Sequence, residues 1–272
     1  MSNGFEKEIK RDLKIWYGHI KKADFCTPNS VYVMIHSNII NNNYFLDNEL
    51  VSINEIATKL GYSQGLGTRI KNANIQKLSS FLRKKLLLRG ITDFDVDVGI
   101  DDDIIFNSAY SRIKQMQVVT VCFSFSIYRE YFKNNKKEVP CLNTSDILNS
   151  SHCIVLFPIS SDKVLLIDPN CHYFTSNNPE SIAEFVAENS DKVFIMDLDE
   201  FKNKIFLARR DNMDVLNRQL IYTDIIPIAK QIKTMEKKDR EQTTLEFFEE
   251  KEKEEKNIKY EGSLSGGDKK NE

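Results

Sequence analysis

The sequence predicts an α+β domain, and three observations carry that prediction. Apolar residues in the first third recur with a period near 3.6, as in Val31, Met34, Ile35 and Ile39, and again in Ile75, Leu78, Phe81, Leu82 and Leu86. Further on the chain becomes β-branched and aromatic, with strict alternation in Phe94-Asp95-Val96-Asp97-Val98. Two apolar runs, 152–159 and 163–167, flank the polar turn Ser160-Ser161-Asp162 and read as a β-hairpin. Helices first and an antiparallel sheet afterwards make an α+β arrangement.

Each element has its own signal. Pro28, placed at the first helical position, marks the start of the first helix just after Cys26. Ser52 with Glu55 three residues on is a capping box, and Ile56 and Leu60 follow it as the buried face of a second helix. The stripe from Ile75 to Leu86 stops at Gly90, which serves as a C-terminal cap. After the strand at 94–98 we expect a short helix over 104–113 and a buried strand over 118–125. The hairpin is followed by a helix over 179–189 and a strand over 193–198.

The chain has 272 residues, 41% of them hydrophobic, enough to bury a core. Its 38 basic and 40 acidic residues balance to −2, which argues against a polybasic nucleic-acid or membrane binder. Charge is uneven along the chain. Residues 229–272 hold 11 basic and 12 acidic residues in 44 positions, including Glu-Glu-Lys-Glu-Lys-Glu-Glu-Lys at 249–256. So little apolar surface does not offset the entropy of folding. We therefore expect one globular domain over 1–228 and a charged helical or disordered tail over 229–272. Within the tail, Gln242, Leu245, Phe247 and Phe248 have two readings. They resemble a sliding-clamp-binding peptide, which would dock a partner protein; an amphipathic helix packing on its own domain is the favoured alternative.

No apolar run follows the charged N-terminal residues, and no stretch approaches roughly 18 continuous apolar residues. A cytoplasmic protein with reduced thiols is expected, with export that needs no cleavable signal left open. The five cysteines are odd in number, scattered, and without a Cys-x-x-Cys pair, so neither a disulfide scaffold nor a zinc ribbon is expected. Cys122 and Cys153 read as core residues. Cys171-His172 lacks the further ligands of a metal site, although His172 remains an alternative base. The acidic run from Asp93 to Asp103 does not have calcium-loop spacing. Gly61 to Gly67 lacks the strand before it and the Lys after it that a phosphate loop needs, and reads as a flexible connection bordering a cleft. No cofactor and no metal are expected.

A thiol nucleophile requires a base, a group that orients the base, and donors for the oxyanion. Cys26 lies at a helix start, where the positive end of the helix dipole favours a thiolate. His152 opens one hairpin strand and Asp168 closes the next. With the turn centred near Ser161, positions 152 and 168 are expected to be close to cross-strand neighbours, so the carboxylate can hold the imidazole. Cys153 should face away from His152, because side chains alternate along a strand. His36, on the apolar helix, reads as a structural histidine.

These pieces resemble the papain-like cysteine peptidase clan, and most closely the bacteriocin-processing (double-glycine leader) peptidase type. The resemblance rests on Asp24-Phe25-Cys26-Thr27-Pro28, on His152-Cys153-Ile154-Val155-Leu156, and on Val164-Leu165-Leu166-Ile167-Asp168-Pro169, and spans about residues 20–170. It implies a papain-like fold and a peptidase with Cys26 as nucleophile, His152 as general base and acid, and Asp168 as the orienting group. It also implies a peptide or protein substrate. The clan's usual Gln about six residues before the Cys is absent: position 20 is Ile, and the first Gln is Gln64. His19 is the candidate oxyanion donor in its place. The clan's acyltransferases use the same triad, so transfer to an amine or thiol stays open beside hydrolysis. A catalytically inactive module that binds partners through its tail also stays open.

Overall fold

The computed structural model describes residues 12–18, 24–42, 46, 48–68, 71–87, 94–99, 107, 110–134, 151–169, 179–190, 193–207 and 219–225. The chain divides into one unit over Met1–Ile226 and another over Pro227–Glu272. The second lies outside the described residues, and with it the docking residues Gln242, Leu245, Phe247 and Phe248.

Three helices come first: α1 (Cys26–Asn41), α2 (Ile53–Leu60) and α3 (Asn72–Leu87). Ahead of them runs a short strand, β1 (Lys14–Trp16). The main sheet has six strands in the order β2-β8-β3-β4-β5-β7, all antiparallel. They are β2 (Phe94–Gly99), β3 (Val119–Ser124), β4 (Ser151–Pro158), β5 (Lys163–Ile167), β7 (Phe194–Asp197) and β8 (Gln219–Ile225). The mixed helix and antiparallel-sheet class is the expected one.

Helix α1 positions the site. Apolar residues cover all its sides, and the helix is buried along most of its length between sheet and helices. Burying a polar group costs free energy unless it is hydrogen-bonded. The polar residues of α1 meet that demand by docking the helix onto its neighbours. Asn38 exchanges two bonds with the backbone of Val118, donating to the carbonyl at 2.8 Å and accepting from the N–H at 2.7 Å. Ser37 accepts from the Trp16 N–H, and Ser30 donates to the Cys153 carbonyl. His36 accepts at Nε2 from the Leu50 N–H at 3.0 Å, so its proton sits on Nδ1, facing the Tyr32 carbonyl. It is the structural histidine expected from its place on the helix.

The capping box of α2 forms in full: Ser52 accepts from the Glu55 N–H and the Glu55 carboxylate accepts from the Ser52 N–H. Gly61 ends the helix at φ +75°, the left-handed region that favours glycine. The apolar stripe of α3 is buried at Ile75, Leu78, Leu82 and Leu86; Gly90 lies outside the described residues.

Two apolar clusters lie on opposite faces of the sheet. One joins α1, α2 and α3 to Val155, Phe157, Leu165 and Ile167. The other joins Ile154, Leu156, Val164 and Leu166 to α4 (Phe125–Asn134) and to the helical segment over 198–206. The alternation of β4 and β5 between these clusters is the period-two rule at work.

One expected element is corrected. Residues 179–181 form a strand, β6, which pairs antiparallel with β1, and helix α5 begins only at Ile182 and runs to Glu188. Its partner is far away in sequence, so no local pattern marks it. No helix among the described residues is long and apolar enough to cross a membrane.

Candidate active site

Cys26 is the first residue of α1, with Phe25 as the N-cap. Pro28 is therefore the third helical residue rather than the first, and the N–H it lacks is one of the first-turn donors that have no partner in the helix ladder. The first-turn N–H groups of Cys26 and Thr27 face outward from the helix start, beside the sulfur.

His152 and Asp168 meet directly. The His152 Nε2 atom lies 2.8 Å from Asp168 Oδ2, with both side chains almost fully buried. The strand register is the one expected from a turn centred near Ser161. Val155 pairs with Ile167 and Leu156 with Leu166, which sets Asp168 level with Ile154 rather than with His152. Residues 152 and 154 share a face, so the carboxylate reaches the ring along the diagonal, a normal span for a long side chain.

The Cys26 thiol, half-buried at the start of α1 and 3.9 Å from the Thr27 hydroxyl, is electrostatically coupled to the same imidazole. Since Nε2 is committed to Asp168, Nδ1 is the nitrogen left for sulfur. Burial pushes the thiol up, but the hydrogen-bonding pull and the charge of the His152 ring, with the Cys153 backbone N–H, hold it below its ordinary value. Burial likewise works against a charged His152; the Asp168 carboxylate and Cys26 overcome it and raise the imidazole from 6.5 to about 10. The two directions agree. Both shifts run in the direction that favours a proton on the ring and a negative charge on the sulfur.

The cysteines hold a correction. Cys122 and Cys153 are joined by a disulfide, where reduced core thiols were expected. They are directly opposed in the β3–β4 register, and antiparallel neighbours share a face with Cα atoms 4.2 Å apart. Cys153 does face away from His152, as alternation requires, towards α1. There Thr27 donates to its sulfur at 3.0 Å. Among the described residues Cys26 is the free cysteine; Cys141, Cys171 and His172 lie outside them. So does His19, the expected oxyanion donor.

No protein-family model, no curated protein and no solved structure matches this chain. The site must be read from its own geometry.

Several participants were not visible in the sequence. Phe123, Phe125 and Tyr128 surround His152, with ring centroids 6.5, 5.1 and 6.0 Å away. The Gly61–Gly67 connection is tethered rather than loose. Asp24, two residues before the nucleophile, accepts from the Tyr62 hydroxyl at 2.8 Å and the Gly65 N–H at 3.1 Å. The Tyr62 ring meets Phe25 edge-on at 4.4 Å. Among the described residues no group of three or more His, Cys, Asp or Glu side chains could hold a metal ion.

Proposed function

We propose that this chain is a cysteine peptidase, a thiol acyl-enzyme hydrolase that cleaves a peptide or amide bond with Cys26, His152 and Asp168. The observation that carries the reading is the buried His152–Asp168 pair, 2.8 Å apart, with Cys26 at the start of α1 electrostatically coupled to that ring. The Cys26 thiolate attacks the carbonyl carbon and forms a tetrahedral intermediate. Its oxygen is stabilised by N–H groups at the α1 N-terminus. The His152 imidazolium then protonates the leaving amine as the C–N bond breaks, leaving a thioester on Cys26 and a neutral imidazole. Neutral His152 next takes a proton from water, which attacks the thioester and regenerates the thiolate–imidazolium pair. Asp168 holds the ring orientation through both halves. The tethered Gly61–Gly67 loop, anchored through Asp24, forms a wall beside the nucleophile.

The test is covalent trapping. A peptidyl vinyl-sulfone should modify the wild-type protein at Cys26 alone. Cys26→Ala should abolish that adduct and His152→Ala should slow it by at least about 10². Equal modification of all three proteins would overturn the reading. Adding a small amine to a thioester substrate distinguishes transfer from hydrolysis by the product formed.

A further inference from the structure

The surroundings of His152 carry a feature that the relay itself does not require. The ring is 3% exposed, and burial of that kind disfavours the imidazolium. The groups that face it can be named element by element. Helix α1 contributes Cys26, and the end of β5 contributes Asp168. Strand β3 contributes Phe123, directly opposite His152 in the register, and helix α4 contributes Phe125 and Tyr128, whose phenol is the remaining titratable group.

All three aromatic residues are buried. Phe125 is nearest, its plane at 72° to the imidazole with centroids 5.1 Å apart; Phe123 stands at 89° and 6.5 Å, Tyr128 at 44° and 6.0 Å. An aliphatic wall would exclude water equally well. Aromatic rings add a fixed negative potential over their faces, which favours a cation within about 6 Å when water is excluded. Such a potential does not titrate, so it acts across the whole working range.

We propose that Phe125 and Tyr128, with Phe123 packed behind them, form an aromatic cage that holds His152 as an imidazolium, with Phe125 as the principal positioning residue. The inference rests on the reading of His152 as the charged partner of Cys26. The three rings do not touch the reacting atoms. They act through His152, by stabilising its charged form and by fixing its ring plane.

The test replaces the electrostatics of Phe125 while keeping its shape. Phenylalanine analogues with increasing fluorine content, incorporated at position 125, drain the negative potential from the ring face. In the Cys26→Ala protein, NMR titration of His152 should show its midpoint falling stepwise along the series, by roughly half to one and a half pH units in total. In the protein that keeps Cys26, iodoacetamide alkylation on the acid side should slow in step. Phe125→Leu should shift the midpoint in the same direction. A midpoint that stays constant along the fluorinated series, or that moves only in variants whose thermal unfolding also shifts, would overturn the cage and leave a packing role. Failure of the proposed activity reads differently: peptidyl probes would then leave Cys26 unmodified while the His152 midpoint still followed fluorination.

Discussion

Asp168→Asn tests the relay most sharply, because it keeps the shape and a hydrogen-bond acceptor while removing the charge. The carboxylate lies 2.8 Å from His152 Nε2 and is the largest influence raising that imidazole from 6.5 to about 10. At 1.36 kcal/mol per pH unit the whole difference is on the order of 5 kcal/mol, shared between Asp168 and Cys26 against the cost of burial. An opposite charge at such contact typically accounts for about one to three pH units. Removing it should lower the His152 midpoint by that amount. The proton on His152 is then held about ten- to a thousandfold less firmly, while the direct influence of Asp168 on the thiol, which raises it, is lost as well. Iodoacetamide alkylation of Cys26, followed by intact mass across the pH range, reads this directly. The alkaline limb of the profile, on which His152 gives up its proton, should move to lower pH by about one to three units in Asp168→Asn. A profile superimposable on that of the wild type would refute the account.

Other outcomes follow from the same structure. His152 has a folded pKa raised above its unfolded 6.5, so its stabilising contribution is complete below 6.5 and disappears as pH rises towards about 10; thermal unfolding should show that loss in the wild type and not in His152→Gln. The Cys122–Cys153 bond links residues 31 apart, so reduction should cost about 3–4 kcal/mol in a denaturant titration, and alkylation of the unfolded but unreduced protein should leave both sulfurs unmodified. Ser52→Ala removes one half of a complete capping box and should cost about 1 kcal/mol in the same titration. His36→Leu strands the buried Leu50 N–H, and should cost about 1–3 kcal/mol without altering the pH profile of Cys26 alkylation.

Much of the scaffold was legible because its signals are local. The capping box at Ser52, the turn at Ser160–Asp162 and the apolar stripe of α3 each lie within one element, and each forms. The positions of Cys26, His152 and Asp168 were legible for a related reason: Cys26 stands at a helix start, and His152 and Asp168 at the two ends of one hairpin. The register of β4 against β5 follows from the turn centre at Ser161, and it leaves His152 and Asp168 as near neighbours on the diagonal. What was lost depends on pairing across long stretches of chain. The disulfide depends on the β3–β4 register, set across residues 125–150, which no local pattern records. Strand β6 forms because β1 offers it an edge. The aromatic cage escaped because Phe125 was assigned to the end of a strand; it instead opens α4, which curls the rings of Phe125 and Tyr128 back towards His152.

The central claim is that Cys26 exists as a thiolate because His152 holds a proton opposite it. Ultraviolet thiolate absorbance, titrated in the wild type and in His152→Gln, measures that state without any substrate. The account predicts a Cys26 midpoint below 9.0 in the wild type and a higher one in His152→Gln, where burial loses the opposing charge of the ring. A wild-type midpoint at or above 9.0, or one that is the same in both proteins, would contradict it.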